Sequence, residues 1–153
     1  MNALRENHPY EEVAYYLSPL TNENQEIGSG MIGELNEALE PLDFLRCLKS
    51  SMDLKIIRHT PLLERKVKTV AVCGGAGSFL LPLAIKSKAD AFISADFKYH
   101  EFFDADSKII IADIGHYESE VFTKDLLKEI LTKKFPTFAI NFSKTVTNPI
   151  SYF

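Results

Sequence analysis

Six short runs of the chain are rich in aliphatic, aromatic and β-branched residues and are bounded by proline, glycine or polar residues. This pattern is typical of β-strands. In the first run Val13, Tyr15 and Leu17 alternate onto one face, Pro19 ends the run, and a polar loop follows at residues 22–25. The predicted strands cover residues 13–17, 31–35, 67–72, 91–94, 109–112 and 137–142.

Apolar residues recur at helical spacing in other stretches of the chain. Pro41 suits a first helical turn, and Leu42, Leu45 and Leu48 then fall on one face of the predicted helix. A second amphipathic stretch is longer and is ended by Pro136. The predicted helices cover residues 41–52, 80–88, 98–105 and 118–134.

From residue 67 onward the predicted strands and helices alternate. This order indicates an α/β fold in which helices are layered against a sheet. Gly28 and Gly30 precede the second predicted strand and indicate flexible backbone there. We therefore expect a small first part over residues 1–28 and an α/β domain over residues 29–153.

Length and charge exclude several classes of protein. The 153 residues suffice for one domain, or one domain and a fragment of another. The net charge of -4 provides no positive field for a phosphate backbone, which argues against nucleic acid as a partner. No apolar run approaches the roughly 20 residues needed to cross a bilayer, and no secretory signal is recognisable, so we expect no membrane association and a cytoplasmic location.

The two cysteines, Cys47 and Cys73, lie far apart in sequence and form no Cys-x-x-Cys pair. They indicate neither a disulfide framework nor a zinc ribbon. We expect both thiols to be buried.

A glycine-rich loop lies between a predicted strand and a predicted helix. Its residues Gly74, Gly75, Gly77 and Ser78 could present backbone N–H groups to an anion at the positive end of that helix. The loop lacks the Gly-Lys-Ser/Thr ending of a P-loop and the spacing of a dinucleotide-binding loop. The alternative is a tight turn that requires glycine for close packing, with Ser78 as a helix cap.

A histidine and a glutamate follow the strand at residues 109–112. If a helix begins near residue 115 or 116, the i, i+4 spacing places His116 and Glu120 on one face, as a metal-binding pair requires. Two side chains are too few for a complete site, so partners must come from elsewhere, for which Asp96, Asp113 and His100 are candidates. The alternative is a solvated histidine at a helix start with an acidic residue one turn later.

Two further polar segments could contribute to chemistry. Lys98 and His100 follow another strand end, and the carboxyl ends of parallel strands meet at one edge of a sheet, so both could serve charge stabilisation or proton transfer beside His116. The alternative there is a helix capped by Asp96. Residues 8–12 contain a histidine and two glutamates, and an exposed polar approach to a strand is their commoner explanation.

Six segments in this order resemble the dinuclear-metal Nif three-like family, the GTP cyclohydrolase I type 2 homologues. They are His8-Pro9-Tyr10-Glu11-Glu12, Gly30 to Leu35, Val70 to Ser78, Ser94 to His100, Asp113 to Glu120 and Thr147-Asn148-Pro149. The resemblance covers nearly all of this chain but only the C-terminal portion of a family member. One departure is Ser94-Ala95-Asp96, where the family usually has a glycine before the aspartate.

The resemblance implies a layered α/β sandwich, with residues 1–28 as the end of a small PII-like or CutA-like α+β insert. It also implies a site for two divalent metal ions, to which this portion contributes His116 and Glu120. The remaining ligands belong to an N-terminal half that has no counterpart here. Family members assemble into hexamers, so the resemblance further implies a homo-oligomer.

Three functions remain open at this point. The first is a metal-dependent hydrolase that acts on a nucleotide or another phosphorylated substrate, with zinc, iron and manganese not distinguished. The second is a metal-binding assembly or regulatory protein without catalytic activity that interacts with other proteins. The third is an inactive fragment that carries half of the two-metal site.

Overall fold

The computed structural model describes residues 1–19 and 27–153, and the polar loop predicted at residues 22–25 lies outside this range. A five-stranded mixed sheet has the strand order β1-β3-β4-β5-β2. The central strands β3, β4 and β5 are parallel, and β1 and β2 pair with them antiparallel at the two edges. The strands are β1 Met31–Leu39, β2 Arg58–His59, β3 Val67–Ala76, β4 Ala91–Ala95 and β5 Ile110–Asp113.

Neighbouring residues of the central strands belong to two different apolar clusters. Val70, Ala91 and Ile110 lie in one cluster, whereas their neighbours Phe92 and Ile111 lie in the other. Successive side chains of a strand point to opposite faces, so both faces of the sheet are covered. A parallel sheet requires this double coverage, which explains why β4 and β5 consist of nearly continuous apolar residues.

Different helices cover the two faces. Leu45 and Leu48 of α2 pack on the face of Ile110 as predicted, but Leu42 is 49% exposed and Phe44 is buried beside them instead. Leu81 of α3 packs on the opposite face. The helices are α1 Asn2–Asn7, α2 Pro41–Ser51, α3 Leu81–Lys86, α4 His116–Glu120 and α5 Thr123–Lys134, and 3-10 helices cover Ser78–Leu80 and Tyr99–Ala105.

The α/β fold predicted from sequence is confirmed, but two of the predicted strands are absent from the described residues. Residues 13–17 and 137–142 belong to no strand. On the face predicted to be apolar, Tyr15 is 43% exposed and Leu17 is 78% exposed, so most of that face is not packed against the rest of the described chain. A run of alternating polar and apolar residues becomes a strand only where another strand pairs with it. Whether such a strand lies nearby cannot be read from the run itself.

Three local predictions also differ from the structure. The helix predicted over residues 118–134 is divided into α4 and α5 by a turn at residues 121–122. The helix predicted over residues 98–105 is a 3-10 helix whose N-cap is Lys98, and Asp96 lies outside it. Cys47 is exposed because it lies on the outer face of α2, while Cys73 is buried as predicted.

No helix among residues 1–19 and 27–153 is long and apolar enough to cross a membrane. The division of the chain at residue 28 stays a prediction.

Candidate metal centre

The site begins where the chain leaves β5 and enters α4. Asp113, at the end of β5, is buried and accepts hydrogen bonds from the N–H groups of Gly115 at 3.1 Å and Phe97 at 3.0 Å. It also forms an ion pair with Arg58. These bonds join the ends of β4, β5 and β2, and they occupy both carboxylate oxygens of Asp113. Asp113, which was a candidate metal ligand from the sequence, therefore has a structural role and is not a free ligand.

His116 is the first residue of α4, and Asp96 fixes its ring. The Nδ1 atom of His116 lies 2.6 Å from Oδ2 of Asp96, which follows β4 and adopts a φ of 59°. The hydrogen bond to Asp96 raises the pKa of His116, and the negative charges of Asp96 and Glu120 add to this effect, while partial burial opposes it. A bond at Nδ1 selects the tautomer that leaves the lone pair of Nε2 available to a metal.

Glu120 lies at the other nitrogen of the same ring. Its Oε2 is 3.4 Å from Nε2 of His116, as the spacing of the two residues by one helical turn predicts. Zinc binds nitrogen and oxygen ligands at about 2.1 Å, which places two ligands of a tetrahedral ion about 3.4 Å apart. The donor types and their separation therefore fit a divalent metal.

The glycine-rich loop at the end of β3 packs directly against this pair. A Cβ atom on Gly75 would lie 2.6 Å from Oε1 of Glu120 and 3.3 Å from Nε2 of His116, and the φ of Gly75 is 65°. The N–H of Gly75 donates to Oγ of Ser119 at 2.8 Å, and its carbonyl accepts from Ser94 at 3.0 Å. Glycine at this position therefore leaves the space that the two side chains occupy.

Ser78 of the predicted anion loop and Lys98 of the predicted catalytic pair are joined through Glu101. The hydroxyl of Ser78 donates to Oε1 of Glu101 at 3.0 Å, and Oε2 of Glu101 accepts from the N–H of Lys98 at 2.7 Å. The bond from Lys98 contributes most to lowering the pKa of Glu101. The side chains of Lys98 and His100 are exposed, and within the described residues neither forms a hydrogen bond or ion pair with His116.

Two ligands do not complete a metal site. In the part of the chain that the structure describes, no group of three or more His, Cys, Asp or Glu side chains converges so as to hold a metal ion. Asp96 and Glu120 both contact His116, but they contact different nitrogens of its ring. The described residues thus bring together two candidate ligands and one carboxylate that orients the histidine.

Sequence reasoning did not identify the role of Glu118, which lies between the two candidate ligands. Its Oε1 accepts hydrogen bonds from the hydroxyl of Tyr152 at 3.1 Å and from Nδ2 of Asn148 at 3.4 Å. Its Oε2 is buried and, among the described residues, has no hydrogen-bond partner. These bonds attach the C-terminal tail to α4. The polar residues around Pro149 were the only sequence signal for this contact.

A cavity of about 740 Å³ opens between α4, α5 and the tail. It is lined by polar and apolar side chains that include His116, Glu120, Lys124, Lys128, Leu131 and Phe142. Both candidate metal ligands therefore border a space large enough for a small molecule.

The fold and these contacts define an α/β protein with a histidine–carboxylate pair at the carboxyl edge of its parallel strands. The family model described as Duf34/NIF3 (NGG1p interacting factor 3) matches residues 4–149, and the chain belongs to this family. The resemblance in sequence is thereby confirmed.

Relatives with similar sequences are described as GTP cyclohydrolase 1 type 2 homologs. The protein of Halalkalibacterium halodurans is 34% identical over an alignment of 155 positions, which covers 98% of this chain and 41% of that protein. The protein of Bacillus subtilis is 31% identical over an alignment of 161 positions, which covers 99% of this chain and 42% of that protein. The chain thus spans about two fifths of the length of the relatives it matches.

Two solved structures are similar to this chain in fold and in sequence. A Bacillus cereus protein related to NIF3 superposes with a TM-score of 0.76 and 34% identity, covering 99% of this chain and 43% of that one. The Staphylococcus aureus protein SA1388 superposes with a TM-score of 0.75 and 25% identity, covering 99% of this chain and 44% of that one.

Proposed function

We propose that this chain contributes His116 and Glu120 to a divalent-metal site, and that the completed site belongs to a hydrolase acting on a nucleotide or another phosphorylated substrate. The observation that carries the proposal is the position of Glu120 at Nε2 of His116 while Asp96 occupies Nδ1. A solvated histidine at a helix start requires neither carboxylate. Two carboxylates at opposite ring nitrogens are the arrangement of a metal-binding histidine with its orienting partner.

The rest of the site comes from outside these 153 residues in this proposal. The chain spans 41% of the Halalkalibacterium halodurans relative, so more than half of a family member has no counterpart here. That portion, or further copies of the chain in a homo-oligomer such as the hexamer that the resemblance implies, supplies the remaining ligands. Zinc, iron and manganese all accept a histidine and a glutamate as ligands.

Each residue near the pair has a defined part in this proposal. A bound divalent ion lowers the pKa of a water ligand and so provides a nucleophile near neutral pH. Asp96 holds the ring of His116, and Gly75 leaves room for both ligands. Lys98 and His100, exposed beyond the end of β4, are proposed to stabilise charge or transfer a proton in the completed site.

A second candidate function is a metal-binding protein that interacts with other proteins and catalyses no reaction. The family description contains the words "interacting factor", which favours this candidate. The two functions differ in how the metal is coordinated. A hydrolase needs a coordination position open to water, whereas a structural site is closed by protein ligands. A third outcome for the 153 residues alone is an inactive fragment that carries half of a site.

Metal analysis of the purified chain tests the proposal. Protein prepared without chelator is measured by elemental analysis beside the double variant His116→Ala, Glu120→Ala and a control double variant, His59→Ala, Glu64→Ala, whose side chains lie outside the site. We expect one to two ions per chain in the parent and the control, and none in the site variant. Bound metal in equal amount in all three proteins contradicts the assignment.

Turnover separates the hydrolase from the other candidates. The metal-loaded protein is incubated with a panel of nucleoside phosphates, with and without EDTA, and products are resolved by chromatography. Hydrolysis that stops with EDTA and in the site variant supports the hydrolase. Metal content without turnover favours the binding protein, and absence of both favours the inactive fragment.

A further inference from the structure

Two lysines of α5 line the same cavity as the candidate metal ligands. Lys124 and Lys128 follow Glu120 at intervals of four residues, and Glu120 follows His116 at the same interval. All four side chains border the cavity of about 740 Å³ despite the turn between α4 and α5. The cavity therefore combines two cationic side chains with a candidate metal pair.

The charges of these lysines are not neutralised within the described residues. Neither Lys124 nor Lys128 forms a salt bridge there, whereas Lys133 on the same helix pairs with Glu129 at 2.6 Å. The Nζ of Lys128 lies 4.4 Å from the centre of the Phe142 ring, and the Nζ of Lys124 lies 6.0 Å from it. An aromatic face holds an ammonium group in place and leaves its N–H donors available to an anion.

The other walls of the cavity are largely apolar. Leu127, Leu131, Ile140 and Phe142 contribute aliphatic and aromatic surface beside the lysines. A ligand that contacts both the lysines and the apolar wall carries a compact anionic group and a flat apolar body. A nucleoside phosphate has both, and a free inorganic anion has only the first.

The glycine-rich loop is less available to an anion than these side chains. The N–H of Gly75 already donates to Ser119, and the hydroxyl of Ser78 donates to Glu101. The lysines, in contrast, are the cationic donors at the cavity wall.

We infer that Lys124 and Lys128 bind the phosphate group of a nucleoside phosphate whose base packs against the apolar wall of the cavity. This inference rests on the proposed function, because the phosphate then lies beside His116 and Glu120, where the completed site would act on it. The lysines bind and orient the substrate, so they determine affinity for the phosphate and do not hold the metal.

Binding of AMP, measured by titration calorimetry in EDTA at low salt, tests the inference without any metal. The parent chain is compared with Lys124→Gln, Lys128→Gln and with Lys133→Gln, Lys134→Gln, which removes the same two charges from the last turn of α5. We expect the dissociation constant for AMP to rise about tenfold or more in the first variant, since hydrogen bonds to charged groups are lost, and to stay unchanged in the second. Adenosine should bind more weakly than AMP to the parent.

Three results overturn the inference: the same dissociation constant for both double variants, equally tight binding of adenosine and AMP, or no binding of AMP by the parent at millimolar concentration. Circular dichroism of each variant verifies that the fold is retained. Failure here is distinguishable from failure of the proposed function. Metal uptake without AMP binding overturns only the lysine assignment, whereas AMP binding without metal uptake supports the lysine assignment and favours a chain that carries only half of the metal site.

Discussion

Oδ2 of Asp96 lies 2.6 Å from Nδ1 of His116, so a residue at the end of β4 fixes the ring of the residue that begins α4. The two residues are 20 positions apart, and the parallel pairing of β4 with β5 brings them together. This contact gives His116 one orientation and leaves Nε2 directed toward Glu120.

Removal of the charge on Asp96 should weaken metal binding without unfolding the protein. Asparagine tolerates the left-handed backbone at this position, so Asp96→Asn changes mainly the bond to His116. Loss of an orienting carboxylate costs about 10-fold to 100-fold in metal affinity. Competition against a fluorescent chelator measures this change, and Asp104→Asn in the neighbouring 3-10 helix is the control. An unchanged affinity would show that Asp96 does not orient the ligand.

A side chain at Gly75 should disturb both stability and the metal pair. The Cβ of Gly75→Ala would lie 2.6 Å from Oε1 of Glu120, and the positive φ adds strain of about 1–2 kcal/mol. The midpoint temperature of thermal unfolding and the metal content per chain should both fall. Gly33→Ala is the matched control, because a Cβ at Gly33 meets no atom within 4 Å. Equal effects of the two substitutions would mean that the loop does not pack against the site as described.

The tail contact through Glu118 should contribute measurably to stability. Tyr152→Phe removes the hydrogen bond to Oε1 of Glu118 and leaves that partly buried carboxylate with Asn148 alone. We expect a loss of about 1–2 kcal/mol in the free energy of unfolding, measured by urea titration. Tyr16→Phe, at a side chain that is 98% exposed, should have no effect. Equal stability of both variants would indicate that the tail is not anchored at Glu118.

Asp90 should make stability depend on pH in the acidic range. Partial burial raises the pKa of its carboxyl group, but hydrogen bonds from the N–H groups of Thr69 and Lys68 and from Arg65 outweigh this and lower it. Since the folded pKa is below the unfolded value, the contribution is present above about pH 4 and is lost as the pH falls through the folded pKa.

The variant Asp90→Asn isolates this contribution. The parent should exceed the variant by about 1–3 kcal/mol in unfolding free energy at pH 7, because charge-assisted bonds are lost. Urea titrations at a series of pH values should show this difference shrinking below pH 4. A difference that is constant from pH 7 to pH 2 would contradict the assignment.

The central sheet was predictable because burial on both faces leaves a clear trace in sequence. Strands β4 and β5 are nearly continuous apolar runs, β3 has an apolar centre over residues 70–73, and α2 shows a helical apolar face. Strand β2 has only two residues, too few to show any period. The turn between α4 and α5 was missed because the apolar spacing continues across residues 121–122.

The candidate site was predictable in its local part and only as a set of alternatives beyond it. The interval between His116 and Glu120 is a property of one helix, and the structure brings the two side chains together. Asp96 was one of three candidate partners of His116, and the sequence did not show which of the three reaches the ring or that it contacts Nδ1. The contact of Glu118 with Tyr152, 34 positions apart, depends on the path of the tail. Such pairs follow from topology, which a single sequence does not specify.

Titration of the apo protein with Zn²⁺ by calorimetry tests the central claim most directly. The parent chain, the double variant His116→Ala, Glu120→Ala and the control His59→Ala, Glu64→Ala are measured in the same buffer at neutral pH. The account predicts Zn²⁺ binding by the parent and the control, and a loss of at least about tenfold in affinity in the site variant. Equal Zn²⁺ affinity of the parent and the site variant would contradict the assignment of His116 and Glu120 as metal ligands.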